Sequence, residues 1–126
     1  MSFPSRLTWI GLGVLALAGC DRATQPVACT PSIERGLFVT VVDDVTGAPP
    51  SSATLVAQSG EYVDSAGPVA PLPGSLLVLS AVPERAGTYD LTVRSPGYPA
   101  WTRTGVQVTA DQCHVRRVDV TARLRK

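Results

Sequence analysis

The feature that most constrains this chain is a two-residue rhythm broken at short intervals by turn-forming residues. In GTYDLTVRSPGY, residues 87–98, Tyr89, Leu91 and Val93 point one way while Asp90, Thr92 and Arg94 point the other, which is the period of a half-buried strand. GLFVTVVDDVTG offers Leu37, Val39 and Val41 on one face, then Asp43, Asp44, Thr46, Gly47, Pro49 and Pro50 as punctuation. Ala53, Leu55 and Ala57 resume the rhythm, a shorter strand is expected around Glu61 to Asp64, and Trp101 to Val108 forms another. SLLVLSAV, residues 75–82, reads as a strand buried on both faces. In the last segment, Cys113 to Leu124, Val115, Val118 and Ala122 have helical spacing. Val118, Val120, Ala122 and Leu124 nevertheless alternate against Arg117, Asp119, Thr121 and Arg123, and the β-branched content favours a strand. Between them, Ala66 to Gly74 carries Pro68, Pro71 and Pro73; proline removes a ladder donor, so this stretch is expected as a surface loop rather than a central strand. No amphipathic helix or internal repeat stands out after Cys20. Six to eight short strands in a chain of 126 residues predict one all-β domain, an antiparallel β-sandwich of about seven strands.

A family pattern overlies that rhythm. Val39-x-Val41-x-Asp43-x-x-Thr46-Gly47-x-Pro49, then Ala53-x-Leu55, and later Gly87-x-Tyr89-x-Leu91-x-Val93-x-x-x-Gly97-Tyr98 resembles carboxypeptidase regulatory-like domains of transthyretin-like fold, over roughly residues 33 to 124. The resemblance implies a seven-stranded antiparallel sandwich that serves as an accessory module without catalytic machinery. The spacing also has a direct reading: Asp43 to Gly47 turns the chain, Gly97 permits a sharp strand exit, and Tyr89 and Tyr98 supply core bulk with hydroxyls able to reach water. The Pro-rich middle departs from the family pattern and leaves strand order there open.

The N-terminus has a different character. The apolar run from Leu7 to Gly19 is shorter than the ~20 helical residues that cross a bilayer. With Arg6 before it and small residues after it, the run has the layout of a secretory signal peptide, residues 1–19. Leu17-Ala18-Gly19-Cys20 resembles a bacterial lipobox, which implies a diacylglycerol thioether on Cys20 and a third acyl chain on its amine. Several acyl chains would hold the protein stably at the membrane. Residues 20–32 then form the lipidated cysteine and a polar tether, and 33–126 the sandwich domain. The expected location is the bacterial cell envelope, after export from the cytoplasm. In an oxidising compartment, with Cys20 consumed by lipid, Cys29 and Cys113 remain as an even pair and are expected to form a disulfide. Free thiols are the alternative. Closing that long loop corresponds to roughly 4.5 kcal/mol in the chain-entropy view.

Removing residues 1–19, whose only charged side chain is Arg6, leaves ten basic and ten acidic residues. That balance argues against a nucleic-acid partner. Candidate chemistry is sparse. The single histidine, His114, could join Asp111 or Asp119 in a triad, but no nucleophile-elbow sequence accompanies it. Asp43 and Asp44 are adjacent and read as turn formers rather than metal ligands, so no catalytic residue, metal or cofactor is assigned. Some transthyretin-like proteins hydrolyse a purine-pathway intermediate using several histidines and a C-terminal Tyr-Arg-Gly-Ser. This chain has one histidine and ends Ala122-Arg123-Leu124-Arg125-Lys126, which excludes that activity. Asp21 follows the lipobox cysteine as an inner-membrane retention signal does in some enteric bacteria, without choosing a membrane here. Candidate binding residues are Tyr98, Trp101 and Arg103, where the Trp could stack on a sugar or sit in the core. Arg117, Arg123 and Arg125, which share a strand face, could meet anionic lipid or glycan, or keep an edge strand soluble. The functional expectation is a lipid-anchored, non-catalytic envelope module; the alternative is a module binding an envelope glycan or protein.

Overall fold

A computed structural model describes residue 19 and residues 26–126. Cys20, Asp21 and nearly all of the expected signal peptide and tether lie outside the described residues. Seven strands follow one another among those described: β1 (Arg35–Asp43), β2 (Ala53–Ser59), β3 (Tyr62–Val69), β4 (Leu77–Pro83), β5 (Gly87–Arg94), β6 (Trp101–Val108) and β7 (Val118–Leu124). They form a three-stranded sheet, β4-β1-β7, and a four-stranded sheet, β3-β2-β5-β6. The two sheets face each other as a β-sandwich.

The period-two residues meet between the layers. Leu37, Val39 and Val41 of β1 pack with Ala53, Leu55 and Ala57 of β2 and with Tyr89, Leu91 and Val93 of β5, all essentially without solvent exposure. Tyr89 is the largest fully buried side chain. Its hydroxyl does not reach water, as the sequence suggests, but donates to the Arg85 carbonyl at 2.9 Å, which satisfies a polar atom in an apolar interior. Its ring meets Tyr62 edge-on at 6.3 Å.

The structure changes four of the expected elements. The sheets are not antiparallel throughout: β1 pairs antiparallel with β4 but parallel with β7, Leu37 opposite Val118 and Asp43 opposite Leu124. A parallel neighbour needs a long crossover, and here the whole second sheet provides it. Residues 66–69 belong to β3 rather than to a loop. Because β3 is an edge strand, Pro68 costs no ladder bond inside the sheet, and the pairing with β2 shifts register between Ala53 and Leu55 to absorb the irregularity. Leu77–Pro83, an edge strand of the smaller sheet, is not buried on both faces throughout: Leu77, Leu79 and Ala81 point inward and Val82 near its end is also buried, while Val78 is 45% exposed. Finally, β7 starts at Val118. Residues 110–115 instead form a tight turn closed by an Ala110–Val115 bridge.

The registers give the sandwich two distinct ends. The base gathers the start of β1, the end of β4 and the turn before β7, with Arg35 opposite Pro83. The distal end gathers the 43–48 turn, the 70–76 and 95–100 connections, and the C-terminus. Leu37→Ala in the central strand should destabilise the domain by about 2–5 kcal/mol, whereas Val78→Ala on the outward face should stay within about 0.5 kcal/mol. Urea midpoints of the two variants check this assignment of faces.

Candidate functional site

Chemistry-bearing side chains concentrate at the two ends. At the base, a disulfide joins Cys29 to Cys113 with Cα atoms 5.2 Å apart across a sequence separation of 84, well inside the usual bridging range. Beside it His114 is held on both ring nitrogens. Nδ1 lies 2.7 Å from Glu84 Oε1 and Nε2 lies 2.9 Å from Thr30 Oγ1. In the neutral ring Nδ1–H donates to the carboxylate and Nε2 accepts from the threonine.

Glu84 is the hub of this corner. Its Oε1 also accepts the Glu34 amide at 2.6 Å, and its Oε2 accepts the Val115 amide at 3.4 Å. The residue sits at φ +48°, an uncommon conformation for a non-glycine residue, and its own amide donates to the Glu34 carbonyl at 2.9 Å. Asp111 Oδ1 accepts the amides of Cys113 and His114 at 2.8 and 2.9 Å. A hydroxyl, an imidazole and a carboxylate are therefore in line, in the order a hydrolytic triad uses. The surrounding amides in position to stabilise an oxyanion, at Cys113, His114 and Val115, are instead bonded to Asp111 and Glu84. The corner is built as a clasp, with the tether, the β4–β5 turn and the 110–115 turn tied through one imidazole. Hydrogen bonding to Glu84 raises the His114 pKa, and the bond from the Glu34 amide, followed by that from His114, lowers that of Glu84.

At the distal end Asp43 shapes the first turn. Its Oδ1 accepts the Val45 and Thr46 amides at 2.8 and 2.9 Å, and its Oδ2 accepts the Tyr98 hydroxyl at 2.7 Å. Those bonds, the tyrosine's first, hold its carboxyl at about 2. Tyr98, expected to send its hydroxyl to water, instead locks the 95–100 turn to the 43–48 turn. Lys126 Nζ lies 5.2 Å from the centroid of its ring.

The sequence-derived binding candidates do not form one site. Trp101 pairs with Val93, on the core-facing side of β6, and is half-buried against the core. Arg103 pairs with Leu91 farther along the same strand and is exposed. Arg117 stacks over Phe38 at 3.7 Å and pairs with Asp119 at 2.8 Å, near the base. Arg125 pairs with Asp44 at 2.8 Å, at the distal end. Arg123, between them on the outer face of β7, has no carboxylate among the described residues within ion-pair distance. The three arginines share a face but span its length, and two of them already have partners.

Glu84 and Thr30 escape sequence reasoning because their partner His114 is 30 and 84 residues away, with no local motif to announce it. Arg94, which lines a distal pocket with Ser52, Thr54 and Tyr98, carries only a weak sign in the sequence: it ends a strand immediately before Ser95-Pro96-Gly97. Compared with known proteins, the chain matches no family model and no curated protein.

The clasp has a defined pH window. The raised His114 contributes stability that is complete below its unfolded pKa of about 6.5 and is lost as pH rises through its folded value; the lowered Glu84 contributes above its unfolded pKa of about 4.5 and loses it as pH falls through its folded value. The urea midpoint difference between the wild type and His114→Ala should therefore be largest between about pH 4.5 and 6.5 and shrink on either side. A difference that does not vary with pH would show that the ion pair adds nothing.

Proposed function

We propose that the protein is a lipid-anchored module of the bacterial cell envelope, with a non-catalytic sandwich of the carboxypeptidase regulatory-like, transthyretin-like kind. Acyl chains on Cys20 hold it at the membrane, and the sandwich projects from that anchor. The observation that carries this reading is the position of the disulfide. Cys29 is nine residues beyond Cys20 and is fastened to the base of the sandwich. At most about 3.6 Å per residue, the free tether reaches about 32 Å, so the base stays close to the bilayer and the distal end faces away from it.

The clasp supports the same arrangement. Thr30 and Glu34, at the junction between tether and β1, are both bonded into the corner, through His114 and Glu84 respectively. A pull on the anchor is thereby passed to the 110–115 turn and the end of β4 rather than to β1 alone. The pairing of Cys29 with Cys113 also suits an oxidising compartment outside the cytoplasm.

A partner, whether envelope glycan or protein, would be met at the distal end. That end presents an open groove lined by Pro49, Pro71, Leu72, Pro73 and Leu76 and a separate polar pocket around Arg94. Metabolic labelling with a radioactive or clickable fatty acid should mark the wild type and leave Cys20→Ala unmarked. Equal labelling of both would remove the anchor.

A further inference from the structure

We infer that the pocket around Arg94 at the distal end is a binding site for a small carboxylated sugar, with Arg94 taking the carboxylate. The inference draws on the anchored-module reading only for the direction in which the pocket faces, and its ligand test does not depend on lipid at Cys20.

The pocket exists because of a local irregularity in β3. Thr54 and Arg94 are opposite one another in the β2–β5 pairing, and the β3 side of Thr54 is where the ladder slips, between Ala53–Val69 and Leu55–Ala66. Gly67 makes the slip possible. It has φ +99°, and a Cβ there would come within 2.5 Å of the Ala53 carbonyl oxygen. Pro68 is left as one wall, with Pro96 and Ala100 from the β5–β6 connection completing the apolar lining. The pocket, open to solvent, has a volume of about 380 Å³, toward the lower end for ligand sites and suited to a single ring rather than an extended chain.

Its polar groups are of the kinds a sugar acid needs. Arg94 has no carboxylate among the described residues within ion-pair distance, unlike Arg117 and Arg125. Its guanidinium presents a planar fork that matches a carboxylate bidentately. The Ser52 and Thr54 hydroxyls make no hydrogen bond to another described side chain or backbone group and remain free for ring hydroxyls. Ser95 Oγ donates to the Ser52 carbonyl at 2.6 Å, which fixes the pocket floor. Tyr98 gives its proton to Asp43 at 2.7 Å, so its oxygen presents lone pairs as an acceptor. Asp43 is the nearby anion, but two turn amides and the Tyr98 hydroxyl already bond it, leaving the cations, Arg94 in the lining and Lys126 beside the Tyr98 ring, to set the sign of the ligand. Apolar walls with hydroxyl acceptors and an uncompensated guanidinium in the lining describe an acidic saccharide better than a bare anion, which would need no walls, or a neutral sugar, which would need no guanidinium.

The test titrates the full-length protein in detergent micelles, by backbone amide chemical shifts, with sodium glucuronate, glucose, acetate and inorganic phosphate at constant ionic strength. Glucuronate should give saturable shifts at residues 52–54, 94, 95, 97 and 98, with glucose and acetate at least about ten-fold weaker. Losing one charge-assisted hydrogen-bonded pair corresponds to roughly ten-fold or more, so Arg94→Gln should weaken glucuronate binding by at least that factor, and Thr54→Val by a smaller one. Arg103→Gln, a cation outside the pocket, should bind as the wild type does. No saturable shift with glucuronate, equal binding of glucose, acetate or phosphate, or undiminished binding by folded Arg94→Gln would overturn the assignment. Should Arg94→Gln fail to fold, undiminished binding by Thr54→Val would do so.

Discussion

The structure depends on one long-range closure: β1 lies at the centre of its sheet with the last strand, β7, running parallel beside it. Nothing local enforces that pairing. Five strands, β2 to β6, lie between the two in sequence, and a fold dominated by such distant contacts pays its loop entropy before contacts repay it. The disulfide and the His114 clasp act on this weak point. Both join the segment just before β1 to the segment just before β7, so they tie the two strands at the end where both begin. The sulfur bridge narrows the unfolded ensemble, by roughly 4–5 kcal/mol in the chain-entropy account, and the clasp adds directional bonds at the same corner.

That arrangement divides the molecule into an end that is tied and an end that is open. At the base, the carboxylates of Glu84 and Asp111 are matched to amides and an imidazole. At the distal end the turns are locked by Asp43 and Tyr98, yet Arg94 and the hydroxyls around it are not consumed. A rigid frame carrying unspent polar groups is what recognition requires, because ordering costs have already been met by folding. The same logic explains why Trp101 makes a poor platform: its ring is engaged with the core, and apolar surface already buried gains little from a sugar.

The core was legible because its signal is local. Alternation put Leu37, Val39, Leu55, Tyr89 and Leu91 on inward faces, and each is buried. The cysteine pair was legible from parity and compartment. Four things were hidden for physical reasons. Strand direction is set by which strands become neighbours, so the parallel β1–β7 pair leaves no mark in either strand's own pattern. Pro68 argued against a central strand and was silent about an edge one. Val78 is apolar and outward, so SLLVLSAV read as buried on both faces along its whole length when β4 leaves Val78 exposed. The clasp was hidden most completely, since Thr30, Glu84 and His114 become neighbours only after the sheets form, whereas Asp43 and its turn could be read from five consecutive residues.

The most direct test of the closure is to digest the protein, isolated from its native cells and alkylated before any denaturation, and to map its cysteines by non-reducing mass spectrometry. A single crosslinked peptide pair containing Cys29 and Cys113, with neither thiol alkylated, is what a chain fastened end to end at the base of its first and last strands must yield. Recovery of both cysteines in alkylated form would contradict it.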